Sequence, residues 1–575
     1  MRAVIRTHIL FAVAAAFALG ACQTVSAYDE RAPNVSEASR PGVVSAADPR
    51  AAEAGAEILR QGGSATDAAI AVMLALTVVE PQSSGIGGGG FFLRSDVDGT
   101  LVSIDGRETA PGEAGPDWFL GEDGEPLGYR DVVIGGRSVG VPGNIALAAQ
   151  AHERYGQLEW EALFQPAIRL AREGWELTPR GAGYAERVRA RAAHQEEGRA
   201  LFFDDEGNAL PAGTWLTNTE LADTLDSLAT DGPRHLYADR AAELAAHVAA
   251  QTPGDAAMRA SDITEYSATD RPPLCGDYRE YTICSMGPPS SGATTVLAIL
   301  GQLERFDMTA LGPESHTAWH LFAESQRLAY ADRELYLADA DFVSVPAEGL
   351  IDPTYLAARS QLIAPDARME MVEAGAPQGV TQASADGDEP VESGTSHFSV
   401  VDSAGNVVSW TSTIEGPFGS GLMFGGFYLN NELTDFSFRP ERDGMPVANR
   451  VEGGKRPRSS MAPTIVFDAG GDPVLAIGAA GGGTIPVQVA KALVGYIDWD
   501  LSAQDAIALP MLYSPGDGIA LEEDNTIPGL QPALEAMGHA VSRRGLPLKA
   551  NAVEYRNGRW IGAADPRSEG VAVTQ

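Results

Sequence analysis

The sequence predicts a layered α/β protein, four layers deep in the order αββα, with a mainly helical region in its first part. Helical patterning dominates as far as about residue 260. After Thr395 it gives way to short β-like runs separated by glycine turns. Strands and helices in this order suit two sheets between helices better than a doubly wound sheet, and no internal repeat is present.

The elements follow in order. Arg2 and Arg6 precede an apolar run from Ile9 to Leu19 and then Gly20-Ala21-Cys22. Residues 1–22 therefore read as a secretory signal whose apolar core is too short for an ordinary transmembrane helix. Its ending is similar to a bacterial lipobox, which implies cleavage before Cys22, lipidation of that cysteine and a periplasmic lipoprotein. Gln23 at the next position favours the outer membrane. Residues 23–45 are expected to be a tether. A helix over 46–60 stops at Gly62-Gly63; Ser64, with Asp67 three residues on, caps a second that runs to Glu80 before Pro81. The glycine run 84–90 leads into a strand, Phe91–Arg94. Asn144 caps the next helix after the Pro142-Gly143 turn, and a long amphipathic helix is expected over roughly 314–338. Expected strands are His397–Val401, Val407–Thr413, Thr464–Phe467 and Val474–Gly478. Helices follow at Ile485–Tyr496 and Ser502–Leu509.

Composition bounds the function. The 575 residues are 44% hydrophobic and 21% charged, as in a globular protein with a substantial core. A net charge of −37, with lysine only at 455, 491 and 549, excludes a nucleic-acid binder. Cys275 and Cys284 flank what reads as a hairpin; in an oxidising compartment a disulfide is expected rather than two free thiols. With no histidine beside them they are not a metal site. His316 and His320 share a helix face but lack a third ligand, and are expected to be structural. The run Gly87–Gly90 is neither a P-loop nor a dinucleotide fingerprint; it suits close backbone approach. No cofactor or metal is expected.

The chemistry is read at Gly394-Thr395-Ser396-His397-Phe398-Ser399. A polar, acid-rich stretch (379–393) precedes a hydroxyl residue that opens an alternating strand. Such a threonine can attack the preceding carbonyl, shift the acyl group from nitrogen to oxygen and free its own amine. It then carries nucleophile and base in one residue. His397 falls on the same strand face as Thr395 and reads as a packing or orienting residue.

Ten segments carry a family resemblance: SGIGGGGFFL (84–93), DGRETAP (105–111), SVGVPG (138–143), GPPSSG (287–292), ESQRLAYADR (324–333), GTSHFSVVD (394–402), LNNELTDFS (429–437), KRPRSSMAPT (455–464), AAGGG (479–483) and GAADPRS (562–568). Over nearly all of the mature sequence the chain resembles the γ-glutamyltranspeptidases, members of the N-terminal-nucleophile hydrolases. The resemblance implies their αββα sandwich and cleavage at Gly394-Thr395. A large subunit (46–394) and a small subunit (395–575) would then be intertwined halves of one domain. It implies Thr395 as nucleophile, Thr413 as the hydroxyl that steadies it, and Gly481 and Gly482 as oxyanion donors. Arg107, Ser459 and Ser460 would hold the substrate α-carboxylate, and Glu432 and Asp435 the α-ammonium. Guanidinium suits a carboxylate through paired N–H donors. The expected activity is cleavage of glutathione and other γ-glutamyl amides through a γ-glutamyl-Thr395 ester, passed to water or to an amino-acid or peptide acceptor.

Two departures stand out. Glu415 occupies a position where many members carry Asn among the ammonium ligands. It would add a third carboxylate to the pocket, and like charges raise one another's pKa. The segment 436–454 is short for the family's lid loop and lacks tyrosine, which implies a more open cleft. Two other functions compete: a glutaryl-type cephalosporin acylase of the same superfamily, and a non-catalytic surface lipoprotein scaffold. The first would have little use for Glu432 and Asp435. The second would not need Thr395, Thr413, Arg107 and both glycines together.

Overall fold

The computed structural model describes residues 41–381, 385 and 394–575. The signal, Cys22 and most of the stretch before Gly394 lie outside the described residues.

The first strand, β1 (Val43–Ala46), corrects the expected tether boundary: residues 43–45 are part of a sheet, not a linker. The helix expected over 46–60 accordingly starts later, at Pro49–Arg60, because Asp48 accepts from the Arg50 amide as its N-cap. Ser64 and Asp67 form the reciprocal capping box on the helix Ala65–Val79.

Further strands are β2 (Gly89–Ser95), β3 (Leu101–Gly106), β4 (Thr269–Arg271), β5 (Leu274–Tyr278), β6 (Tyr281–Ser285) and β7 (Ser396–Val401). They continue with β8 (Val407–Thr413), β9 (Thr464–Phe467), β10 (Pro473–Ala480), β11 (Lys549–Arg556), β12 (Arg559–Ala564) and β13 (Val571–Thr574). One sheet runs β13-β1-β7-β8-β2-β3-β4 and the other β12-β11-β10-β9-β6-β5, all neighbours antiparallel. A disulfide joins Cys275 of β5 to Cys284 of β6. The first and last strands of the compact unit, β1 and β13, pair directly, so the parts before and after Thr395 share one sheet.

Alternation along the strands divides the core into layers. Val44, Phe92, Phe398, Val400 and Trp410 pack under the helices Pro49–Arg60 and Ala65–Val79. Ile477 and Leu475 face the helices Gly292–Leu303 and Ile485–Ile497 on the opposite side. Val43, Leu93, Val401, Ile465 and Val553 fill the space between the sheets. Toward the site that space becomes polar: Ser399 and Ser409 donate across it to the carbonyls of Ala476 and Ile477, at 3.3 Å each. The mainly helical region spans Asn144–Thr264, interrupted by the two-residue strands Trp175–Glu176 and Trp215–Leu216.

Candidate active site

Thr395 sits at the head of β7, a central strand bonded to β1 and β8. Its φ of +96° is a conformation that a β-branched residue adopts only under strain, on the order of 1–3 kcal/mol. Gly394 has no alternative: a Cβ there would lie 1.5 Å from the Glu415 carbonyl oxygen. Thr395 Oγ1 donates to Thr413 Oγ1 at 3.0 Å, and Thr413 Oγ1 accepts from the Glu415 amide at 2.8 Å. The Thr395 amide donates to the Ser83 carbonyl at 3.1 Å, while the Gly481 amide donates to the Gly394 carbonyl at 3.3 Å. Gly482 follows with φ +59° and opens a single 3-10 turn before the helix Ile485–Ile497. The backbone after β10 thus brings an N–H to the bond expected to break.

The residues expected to recognise substrate surround the same cavity, lined by Arg107, Thr395, Thr413, Glu415, Glu432 and Asp435 among others. Arg107 directly follows β3. Its amide donates to Asp105, and the carbonyls of Pro457 and Arg458 hold its guanidinium at 3.2 and 3.0 Å. Glu432 and Asp435 open and close one 3-10 turn, where positions three apart eclipse and project together. Arg107 forms an ion pair with each of them. Asn431 donates to Glu415. Ser459 lines the cavity, whereas Ser460 accepts from Arg333 at 2.7 Å. The cleft is not open in this uncut chain: Thr395 is 5% and Arg107 1% exposed, because Gly394 and the Arg107 ion pairs occupy it. Within 436–454, Phe436 and Phe438 turn inward to pack with Trp118 and Phe119.

Electrostatics single out a residue that sequence reasoning passed over. Glu108 is fully buried beside Arg107, and its carboxylate pairs with the side chain of Glu432. Burial pushes it up to about 7 despite the opposing pull of Arg107. Burial also raises Glu432 well above the carboxylate range, with Glu108 and Glu415 adding repulsion against Arg107's attraction. Burial disfavours the Arg107 charge, but Glu432 and Asp435 outweigh it and raise its pKa. The cavity is therefore a carboxylate-rich pocket with one guanidinium, suited to a ligand that brings both an anion and a cation. The place of Glu108 next to Arg107 in segment 105–111 gives no sign of its burial, so sequence alone could not single it out.

The histidines are structural in placement. His397 lies between the sheets, bonded to Thr411 and Ser399, and burial lowers it to about 3. His316 meets the Pro528 carbonyl; His320 bridges His539 and the Ala364 carbonyl. Among the described residues no group of three His, Cys, Asp or Glu could hold a metal.

Two antiparallel sheets between helical layers, with a threonine heading a central strand, define the class of N-terminal-nucleophile hydrolases. The chain belongs to the γ-glutamyltranspeptidase family, whose model (Gamma-glutamyltranspeptidase) matches residues 51–575. It is 35% identical over 556 residues to the glutathione hydrolase proenzyme of Bacillus subtilis (strain 168), covering 93% of this chain and 92% of that one. It is 36% identical over 544 residues to the acylase ACY 1 proenzyme of Pseudomonas sp. (strain V22), covering 92% and 93%. Among solved structures, the cephalosporin acylase from Bacillus halodurans aligns with a TM-score of 0.82 at 26% identity, covering 93% of this chain and 96% of that one. The family and fold expected from the sequence are those found.

Proposed function

We propose that the protein is a self-processing γ-glutamyl hydrolase and transferase acting on glutathione and related γ-glutamyl amides. One observation carries this reading: Thr395 shares its cavity with Arg107 and with the Glu432–Asp435 turn. A γ-glutamyl group presents an α-carboxylate and an α-ammonium at one end and the amide to be cut at the other. Its carboxylate can take over Arg107 with help from Ser459, while its ammonium takes the carboxylates that Arg107 releases. Glu108 and Glu415 add acceptor capacity on the ammonium side.

Processing comes first. Thr395 Oγ attacks the Gly394 carbonyl carbon, and the Gly481 N–H supports the developing oxyanion; such a donor contributes about 3–4 kcal/mol. The C–N bond breaks, leaving Gly394 esterified to Thr395 Oγ, and water releases it as a carboxylate. Cleavage also frees the strained φ of Thr395. The new amine, with a reference pKa of about 8, accepts the hydroxyl proton when Oγ attacks the γ-carbonyl of a donor. It returns a proton to the departing amine, and water or an acceptor amine resolves the ester. The uncut chain has only an amide at this position and no base. The large subunit would end at Gly394 and the small subunit would run over 395–575.

The similarity to acylases keeps glutaryl amides as a second reading. Hydrolysis of γ-glutamyl-p-nitroanilide beside glutaryl-p-nitroanilide separates the two, since the glutaryl compound lacks only the ammonium. A preference of about 100-fold for the γ-glutamyl compound is expected; equal rates or the reverse would favour the acylase. Export and lipidation at Cys22 are part of the proposal, supported by residues 1–23 alone. Detergent-phase partitioning that is lost in Cys22→Ser would support them.

A further inference from the structure

Behind the nucleophile lies a buried ion pair that no step above uses. Lys549 Nζ is 2.8 and 3.2 Å from the two carboxylate oxygens of Glu80 and donates to Ser396 Oγ at 3.1 Å. Ser396 Oγ donates in turn to Glu80 at 2.6 Å. None of the three is more than 1% exposed. Burying two charges costs several kcal/mol each, so such a pair adds little to stability and is better explained by what it orients.

Its attachments reach both halves of the site. Ser396 is the residue after Thr395. Glu80 ends the helix Ala65–Val79, and its carbonyl accepts from the Ser83 amide at 2.9 Å; the Ser83 carbonyl is the acceptor for Thr395 N. Lys549 opens β11 opposite Ala480, and its amide donates to Gln488. Gln488 donates to the Ala480 carbonyl at 2.7 Å and to Thr484 Oγ1 at 2.9 Å, and Thr484 Oγ1 donates to the Gly481 carbonyl at 2.9 Å. Nearby, Pro547 O lies 2.0 Å from where a Gly481 Cβ would be.

We propose that Glu80 and Lys549 are positioning residues of the reaction. Through Ser396 and Ser83 they fix the Thr395 α-nitrogen relative to the Gly481 amide, and as a neutral pair they leave the field at that nitrogen balanced. The proposal rests on Thr395 being the nucleophile. The other charged groups facing the pair are Arg180 of the helix Pro179–Arg187 and Glu569 near the C-terminus, on the Lys549 side, and Arg50 of the helix Pro49–Arg60, on the Glu80 side. Those around Thr395 on the cavity side are Arg107, Glu415, Glu432 and Asp435. Only the pair itself changes in the variants below.

The test is the acid limb of kcat/KM against pH for wild type, Lys549→Met, Glu80→Gln and the double variant, all on processed protein. A lone Glu80 carboxylate favours the ammonium form of Thr395 and should move the limb up by about one to two pH units. A lone Lys549 should move it down, and the double variant should return it toward wild type. If Lys549→Met yields no folded protein, the downward shift in Glu80→Gln carries the test alone. Processed variants whose limb stays in place, or moves the same way in both single variants, overturn the proposal. An uncut, inactive wild type overturns the nucleophile assignment instead, which is a distinguishable failure.

Discussion

The carbonyl oxygen of Gly394 accepts a hydrogen bond from the amide of Gly481 at 3.3 Å. The donor expected to stabilise the oxyanion of each substrate is therefore already aimed at the first carbonyl the nucleophile would attack, its own. Gly481 also has φ +118°, and a Cβ would meet the Pro547 carbonyl oxygen at 2.0 Å. Gly481→Ala should displace this amide and slow both self-cleavage and donor hydrolysis by about 100- to 1,000-fold. A time course of the two bands on a denaturing gel, with hydrolysis measured on the processed fraction, checks it. Normal processing with lost hydrolysis would separate the two roles.

On the proposed mechanism Thr413 serves the nucleophile rather than the substrate. Its Oγ1 both pairs with Thr395 Oγ1 and accepts from the Glu415 amide, holding Glu415 at its left-handed φ of +69°. Thr413→Val keeps the shape and removes the hydroxyl. A fall in kcat of about 10- to 100-fold is expected, with KM for the donor little changed and rescue by Thr413→Ser. A rise in KM at constant kcat would instead make Thr413 a binding residue.

Charge at the recognition end should be separable by substrate. Glu432→Gln keeps a hydrogen-bonding group but removes a carboxyl group that the substrate ammonium can draw into its ionised form. It should lower kcat/KM for γ-glutamyl-p-nitroanilide by about 10- to 100-fold and affect the glutaryl compound much less. Arg107→Lys should weaken both compounds, because both carry the terminal carboxylate that paired guanidinium donors suit. Equal losses for both compounds in Glu432→Gln would place the ammonium elsewhere.

Much of this arrangement was legible in the sequence because it is local. Strand alternation marked Val407–Thr413 and Thr464–Phe467 at their observed bounds, and the Ser64 and Asp67 pair marked a helix start. What could not be read is pairing across distance. Arg107 and Glu432 are 325 residues apart, and nothing in either segment says that they bond to each other. Glu80 and Lys549, 469 residues apart, are likewise joined only by the fold. Glu108 escaped because its meaning comes from burial, which an acid beside an arginine does not reveal. Residues 43–45 read as tether, and Ala46 as the start of a helix, because so short a strand shows no period; their partner β13 makes Val43–Ala46 a strand.

His397 supplies a test of the inter-sheet packing that does not depend on activity. It is fully buried between the sheets, against Gly478, where a Cβ would lie 2.4 Å from its ring. Burial lowers its pKa from the ordinary 6.5 to about 3. In the unfolded chain the ring takes a proton near pH 6.5, and in the folded protein it does not. The unfolded state therefore binds more protons between these values, and stability must fall as pH drops through that window. The contribution of a neutral ring is fully present above pH 6.5; about 2 kcal/mol of it should be gone near pH 5. His539, lowered in the same direction by burial, remains in both proteins and cancels in a comparison. In a Thr395→Ala background, which keeps the chain in one piece, the melting temperature should drop more steeply between about pH 7 and 5 than it does after a further His397→Asn change. Parallel pH dependences in the two proteins would mean that His397 can take up a proton without unfolding, and that the space between the sheets admits water.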